Sequence, residues 1–442
     1  MLAVRFDPTQ RCFRLFRAGV CALAFGLGAG ACGDDGGGGG GGTDGTETGT
    51  AGTTAGTAAT GPGTGPTSQG TAGMSSGTTD GGSTTTAGSS TTGQGSTTGP
   101  GTTGGGMGEP LPDAPAGEWL WVDIEGAKCR NGSQAGLTVR YSDSSSNVLI
   151  FFSGGGACYN LTTCLANPDA IDPGEKDGKN GGVFNTTEPA NPFADWNHVY
   201  IPYCTGDVFA GNNPAGDVPG GPQGQMFVGF VNTGLMLDRV HATFSDAETV
   251  VMTGSSAGGF GAAYNFYQAA DRWAADGAQM VLIDDSGPPM ADPYMKPCLQ
   301  QQWRDLWNLD DTLPADCDEC FHADGGGLSN LVTYFSTKYP DAYLSLVSSL
   351  QDTTIRGFFG YGANDCNAVV PFMSGQDYEM GLYDLRDNWM VPGGNWATFF
   401  ISGSTHTWVG SDSRFYGTTV SGTVLADWAA DVVAGNLAHV AP

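Results

Sequence analysis

Val250-Val251-Met252-Thr253 runs into Gly254-Ser255-Ser256-Ala257-Gly258-Gly259, and helix-forming residues follow from Phe260. A serine flanked by glycines between a strand and a helix is what a nucleophilic hydroxyl needs, because side chains at the neighbouring positions would collide in so sharp a turn. The turn lifts the Ser256 hydroxyl above the sheet edge. Ser255 reads as a packing or supporting residue. The chemistry expected of Ser256 is acyl transfer, which also requires oxyanion donors, a base and an acid to orient the base.

Val148 to Phe152 is an apolar run ending in Ser153-Gly154-Gly155-Gly156-Ala157. Glycine there lets backbone N–H groups approach a developing oxyanion, with the N–H of Ala257 completing the hole. His406, in Gly403-Ser404-Thr405-His406-Thr407-Trp408, follows the last candidate strand and is the expected base; His198, His241, His322 and His439 lie in other contexts. Tyr361-Gly362-Ala363-Asn364-Asp365 follows what reads as the penultimate strand, so Asp365 is the expected acid, with Asp284-Asp285 as the competing pair. The order Ser256, Asp365, His406 is that of α/β-hydrolases and of neither common serine-protease order.

Positioning these groups takes a parallel sheet with helices on both faces. Apolar runs at Leu137 to Tyr141, Val148 to Phe152, His198 to Tyr203, Thr249 to Thr253, Gln279 to Ile283, Ile355 to Tyr361 and Trp396 to Ile401 read as strands. Phe227 to Phe244, Gly258 to Ala275, Leu328 to Tyr339, Asp377 to Trp389 and Thr423 to Ala434 read as helices. Several strands are continuous apolar runs, as a sheet covered on both faces requires. Pro168 to Pro192 and Thr205 to Gln225 are long, rich in Gly, Asn, Asp and Pro, and of a length that lines or caps a site. The fold class is therefore α/β, hydrolase-like, over residues 109–442.

What precedes that domain is of a different kind. Residues 33–108 hold 29 Gly and 22 Thr among 76 positions, with no Lys, Arg or aromatic residue, and read as a disordered tether. Residues 1–31 read as a targeting segment: Arg5, Arg11, Arg14 and Arg17, a short apolar stretch, then Ala29-Gly30-Ala31 before Cys32. That end resembles a bacterial lipobox, so Cys32 is expected to carry lipid and hold the head off the membrane; an ordinary signal peptide is the alternative. No stretch from Glu109 onward is as long and apolar as a membrane span.

The chain of 442 residues carries 17 Lys plus Arg against 45 Asp plus Glu, a formal charge of −28, which argues against a nucleic-acid partner. Export agrees with the cysteines. Eight lie in the domain (Cys129, Cys158, Cys164, Cys204, Cys298, Cys317, Cys320 and Cys366), enough for four disulfides of open connectivity. Cys317-x-x-Cys320 with His322 could alternatively bind zinc.

Phe151-Phe152-Ser153-Gly154-Gly155-Gly156-Ala157-Cys158, Gly254-Ser255-Ser256-Ala257-Gly258-Gly259 and the late His406 together resemble the pectin acetylesterase/Notum family of extracellular carboxylesterases, from about Trp119 to the C-terminus. The resemblance implies Ser256 as nucleophile, Asp365 as acid, His406 as base, and the N–H groups of Gly156, Ala157 and Ala257 as oxyanion donors. It also implies pairing of Cys129 with Cys204 and Cys158 with Cys164. Relatives commonly carry Glu at the position of Ser153 and Trp at that of Ala157, so the acyl pocket here should differ in shape.

The expectation is an exported monomeric serine esterase, without metal or organic cofactor, acting on an O-acyl and most simply an O-acetyl ester of a polysaccharide. A longer-acyl lipase or polyester depolymerase is one alternative. Another is a silent hydrolase fold that binds carbohydrate through Trp119, Trp121, Trp303, Trp307 and Trp408. With 13 Lys plus Arg against 39 Asp plus Glu, the domain should repel a polyanion such as pectin unless Arg130, Lys176 or Arg239 supplies a local positive patch.

Overall fold

The computed structural model describes residues 108–442; the targeting segment, Cys32 and all but the last residue of the tether lie outside the described residues. Nine strands form one sheet: β1 Trp119–Lys128, β2 Gln134–Arg140, β3 Val148–Phe152, β4 Asn197–Ile201, β5 Thr249–Ser255, β6 Gln279–Asp285, β7 Tyr343–Ser349, β8 Trp396–Ile401 and β9 His439–Val440. Their spatial order is β1-β2-β4-β3-β5-β6-β7-β8-β9. β2 pairs antiparallel with β1 and β4, and every other pairing is parallel. The principal helices are α1 Gly229–Thr243, α2 Ala257–Tyr264, α3 Phe266–Trp273, α4 Pro297–Trp307, α5 Asn330–Lys338, α6 Thr353–Ala363, α7 Gly375–Leu385 and α8 Leu425–Val433.

The alternation of side chains along each strand builds two cores. From β3, Val148, Ile150 and Phe152 enter the cluster that meets Leu237 of α1, Phe266 of α3, Leu299 of α4, Phe335 of α5 and Leu382 of α7. Leu149 and Phe151 enter the opposite cluster, with Val251, Ile283, Val347 and Phe399, under Trp428 of α8 and the Phe184 and Phe193 rings. Both faces are covered, one mainly by helices and the other by α8 and irregular chain. This is an α/β-hydrolase-like fold, as expected.

Ile355–Tyr361, which reads as a strand, is the middle of α6, and the strand that takes its place is β7. Asp352 starts α6, its side chain accepting from the N–H groups of Thr354 and Ile355, a standard helix cap. β7 is hidden in the sequence by its serines. Ser345 and Ser349 are fully buried, and their hydroxyls donate to the carbonyls of Leu282 and Thr405.

All eight cysteines of the domain are in disulfides: Cys129–Cys204, Cys158–Cys164, Cys298–Cys366 and Cys317–Cys320. The two pairings implied by the resemblance are present, and the bond between Cys317 and Cys320 occupies the sulfurs that zinc would have used. Nδ1 of His322 pairs with Asp292 instead. Four disulfides accord with an oxidising, extracytoplasmic setting. Among the described residues no helix is long and apolar enough to cross a membrane.

Candidate active site

Because β3 and β5 to β8 run parallel, the loops at their C-terminal ends gather on one edge of the sheet, and four of them carry the chemistry. Ser256 stands between β5 and α2 with φ 62° and ψ −121°, a conformation an L-residue adopts only when its surroundings force it. Glycine makes the close packing possible. A Cβ on Gly258 would lie 1.9 Å from the carbonyl oxygen of Phe152, and one on Gly254 would lie 2.3 Å from that of Gly258. The N–H of Ser256 donates to the carbonyl of Asp285 (2.8 Å), and Ser256 itself is largely buried.

The loop after β3 presses against this turn, with the Gly154 Cβ position 2.8 Å from the carbonyl oxygen of Ser255. Asn167 holds the loop by donating from Nδ2 to the carbonyl of Gly155 (2.8 Å). Gly156 has φ 79°, and its face meets the Phe358 ring of α6. Among the described residues the N–H groups of Gly156 and Ala157 make no hydrogen bond, and Ala257, as the first residue of α2, has no intrahelical acceptor. Three backbone donors are thus left uncommitted beside Ser256. Ser153 Oγ lies 2.9 Å from the Tyr200 hydroxyl, which also meets the Glu175 carboxylate, and Ala157 is buried.

His406 follows β8, and its Nδ1 lies 2.7 Å from Oδ2 of Asp352. The carboxylate that meets the imidazole is therefore Asp352 and not Asp365. Asp352 is fully buried at the end of β7, whereas Asp365 is exposed beyond the end of α6 beside the Cys298–Cys366 bond, with φ 51°. Taking Ile355–Tyr361 for the penultimate strand, where the fold has a helix, places the expected carboxylate one element too late in the chain. The signal for Asp352 was present as a helix cap, Asp-Thr-Thr before an apolar run. With Nδ1 donating to Asp352, Nε2 carries the lone pair; it is buried and has no hydrogen-bond partner.

The other sequence candidates fall into place around this centre. Asp285, the last residue of β6, accepts at Oδ2 from Ser255 Oγ (3.0 Å) and from the backbone of Trp408 (2.6 Å) and Val409 (3.0 Å). Asp284 accepts from the Gly287 N–H, and burial pushes its carboxyl well above the usual range. Trp303, Trp307 and Trp408 are core residues, while Trp119 and Trp121 are half-buried on β1. Arg130 is buried against Asn167 and Gln225, Lys176 covers the Trp121 ring, and Arg239 is held by the carbonyls of Glu109 and Pro110. An apolar pocket begins one helical turn beyond Ser256, lined by Phe260, Met295, Leu331, Val332 and Phe335.

Fold and geometry together give an α/β-hydrolase-like fold with a serine at a strained strand-to-helix turn and a histidine–aspartate pair on the same edge. The model of the Pectinacetylesterase family matches residues 121–340 of the chain. It is 30% identical over 172 residues to "Palmitoleoyl-protein carboxylesterase notum2" of Xenopus laevis, covering 36% of this chain and 34% of that protein. Against "Palmitoleoyl-protein carboxylesterase NOTUM" of Mus musculus it is 28% identical over 153 residues, 32% of this chain and 29% of the relative. The protein of the same name from Drosophila melanogaster is 25% identical over 221 residues, 44% of this chain and 31% of the relative. The chain spans about a third of the length of these relatives.

Proposed function

We propose that this chain is an exported serine carboxylesterase that removes an O-acyl group, most directly an O-acetyl group of a polysaccharide, through a Ser256–His406–Asp352 constellation. The observation that carries the reading is the contact of His406 Nδ1 with buried Asp352, on the sheet edge where the strained turn presents Ser256. His406 Nε2 takes the Ser256 proton as Oγ attacks the ester carbonyl. The N–H groups of Gly156, Ala157 and Ala257 stabilise the tetrahedral oxyanion, and His406 then protonates the leaving alcohol. Water, deprotonated by the same nitrogen, hydrolyses the acyl-enzyme and restores Ser256.

A small acyl group is supported by the Phe358 ring packed against Gly156, which narrows the space beside the oxyanion loop. The longer-acyl reading has its own support in the palmitoleoyl-protein carboxylesterases among the relatives. Export and a lipid anchor at Cys32 rest on the targeting pattern of residues 1–32. Hydrolysis of p-nitrophenyl acetate, butyrate and palmitate by wild type and Ser256→Ala tests the proposal. The expected result is acetate turnover above buffer that the variant lacks, falling with acyl length; equal rates for the two proteins would remove the basis of the reading.

A further inference from the structure

Asp285 is fully buried, yet its carboxylate makes no ion pair with Lys, Arg or His among the described residues. Its partners are backbone and hydroxyl donors drawn from two distant parts of the chain. Oδ2 accepts from Ser255 Oγ at 3.0 Å on the serine turn, and from the N–H groups of Trp408 at 2.6 Å and Val409 at 3.0 Å just beyond His406. Oδ1 accepts from Ser286 Oγ at 3.0 Å, and the Asp285 carbonyl accepts from the Ser256 N–H at 2.8 Å. Burial pushes the carboxyl upward from its ordinary range, while the Trp408 and Val409 N–H groups and His406 pull it back.

Burying a carboxylate is costly, and an apolar residue at the end of β6 would serve the core better if packing were all that mattered. What an apolar residue could not do is join the turn that carries Ser256 to the loop that carries His406. Asp352 meets the imidazole at Nδ1, so the orienting position is already filled and Asp285 is no substitute acid. Arg414 supports the same loop from the outer side, donating from Nη1 to the carbonyls of His406 and Thr407 at 2.8 and 2.9 Å. Thr407 is itself held at φ 63°. We infer that Asp285 is a positioning residue that sets the reach between Ser256 Oγ and His406 Nε2 by clamping both loops on one carboxylate oxygen. The inference rests on Ser256 and His406 being the nucleophile and base. A misplacement of about 1 Å costs on the order of a hundredfold in rate, which sets the size of the effect.

The three loop contacts converge on Oδ2, and this gives the test its discrimination. In Asp285→Asn the amide oxygen can take all three donors, and the Ser286 hydroxyl can rotate to accept from the amide nitrogen. Kinetics of p-nitrophenyl acetate hydrolysis are measured for wild type, Asp285→Asn, Asp285→Ala, Ser255→Ala and Ser256→Ala, each shown to be folded by circular dichroism and thermal melting. The expected result for Asp285→Ala is a kcat about a hundredfold lower with KM within about threefold. Asp285→Asn should restore kcat to within about fivefold of wild type, and Ser255→Ala, which removes one donor, should lower it about threefold to tenfold.

A folded Asp285→Ala with kcat within twofold of wild type overturns the inference. So does an Asp285→Asn as impaired as the alanine variant, since charge and not placement would then be what matters. If Asp285→Ala does not fold, Ser255→Ala decides, and an unchanged kcat there overturns the inference. Ser256→Ala separates the two levels: activity retained in it defeats the esterase reading itself. Activity lost in it but retained in the Asp285 and Ser255 variants defeats only the clamp.

Discussion

Replacing Asp352 by Asn changes one atom in a fully buried group and tests which acid serves His406. Asp352 uses its two oxygens for different tasks: Oδ2 receives His406 Nδ1 at 2.7 Å, and Oδ1 caps α6 through the N–H groups of Thr354 at 2.9 Å and Ile355 at 3.0 Å. An asparagine oriented to keep the cap turns its amide N–H toward Nδ1. The imidazole must then accept there and carry its proton on Nε2, where it can no longer take the Ser256 proton. The same substitution in a serine protease triad lowers kcat about ten-thousandfold, equivalent to about 5.5 kcal/mol of barrier. A similar loss is expected here, with the stability cost held near or below the roughly 1 kcal/mol of a helix cap because the cap survives. Asp365→Asn is the matched control: Asp365 is exposed, and its φ of 51° suits asparagine. Its kcat on p-nitrophenyl acetate should stay within a factor of two. Initial rates at neutral pH with active-site titration would decide. An Asp352→Asn enzyme retaining more than a tenth of wild-type kcat, or an Asp365→Asn enzyme falling as far, would show that Asp352 is not the acid that serves His406.

His198 is fully buried, accepting at Nδ1 from Arg140 (2.6 Å) and contacting the carbonyl of Phe193 through Nε2 (2.9 Å), and burial together with the Arg140 charge lowers its pKa to about 3. Since the fold holds the ring neutral, its stabilising contribution is complete above the unfolded pKa of about 6.5 and declines as pH falls toward about 3, at about 1.4 kcal/mol per pH unit. The stability gap between wild type and His198→Asn, measured by urea unfolding, should therefore shrink at that slope below about pH 6; a constant gap would contradict the assignment. Cys129–Cys204 closes a segment of 75 residues, so replacing both by Ala should cost about 4.5 kcal/mol in the same assay, and a cost under about 1 kcal/mol would contradict the loop-entropy account. Gly258→Ala places a Cβ 1.9 Å from the Phe152 carbonyl oxygen and should abolish activity or folding, whereas Gly410→Ala meets nothing within 4 Å and should be near neutral in both. Equal behaviour of the two alanine variants would show that the serine turn is less tightly packed than described.

The serine turn, the glycine loop after β3 and the place of His406 on the same sheet edge were legible in the sequence because they depend on local residue patterns: glycines where a Cβ would strike backbone, and a histidine just past a continuous apolar run. β3 and β8 were legible to the residue, since VLIFF and WATFFI are apolar on both faces. The carboxylate that meets His406 was not, because its position depends on which apolar run is the strand. Thr353–Ala363 carries Ile, Phe and Tyr in a pattern that mimics a strand, while Tyr343–Ser349 hides one behind serines whose hydroxyls find carbonyl partners only in the fold. Asp285 was visible as a competitor for the acid, but its contacts with Trp408 and Val409 are between residues more than a hundred positions apart, which no local pattern encodes. Residue type marks Arg130 and Arg239 as candidates for a positive patch, but burial and backbone contacts, which only the fold shows, claim both.

Whether Ser256 carries the acyl group during turnover is read by acid-quenched peptide mapping of wild type and His406→Ala during hydrolysis of an acetyl ester. An acetyl adduct on Ser256 is expected in wild type, with strongly reduced acetylation of Ser256 in His406→Ala. Steady turnover with no acyl group on Ser256 under conditions that trap acyl-enzymes, or an adduct on another residue, would contradict that role of Ser256.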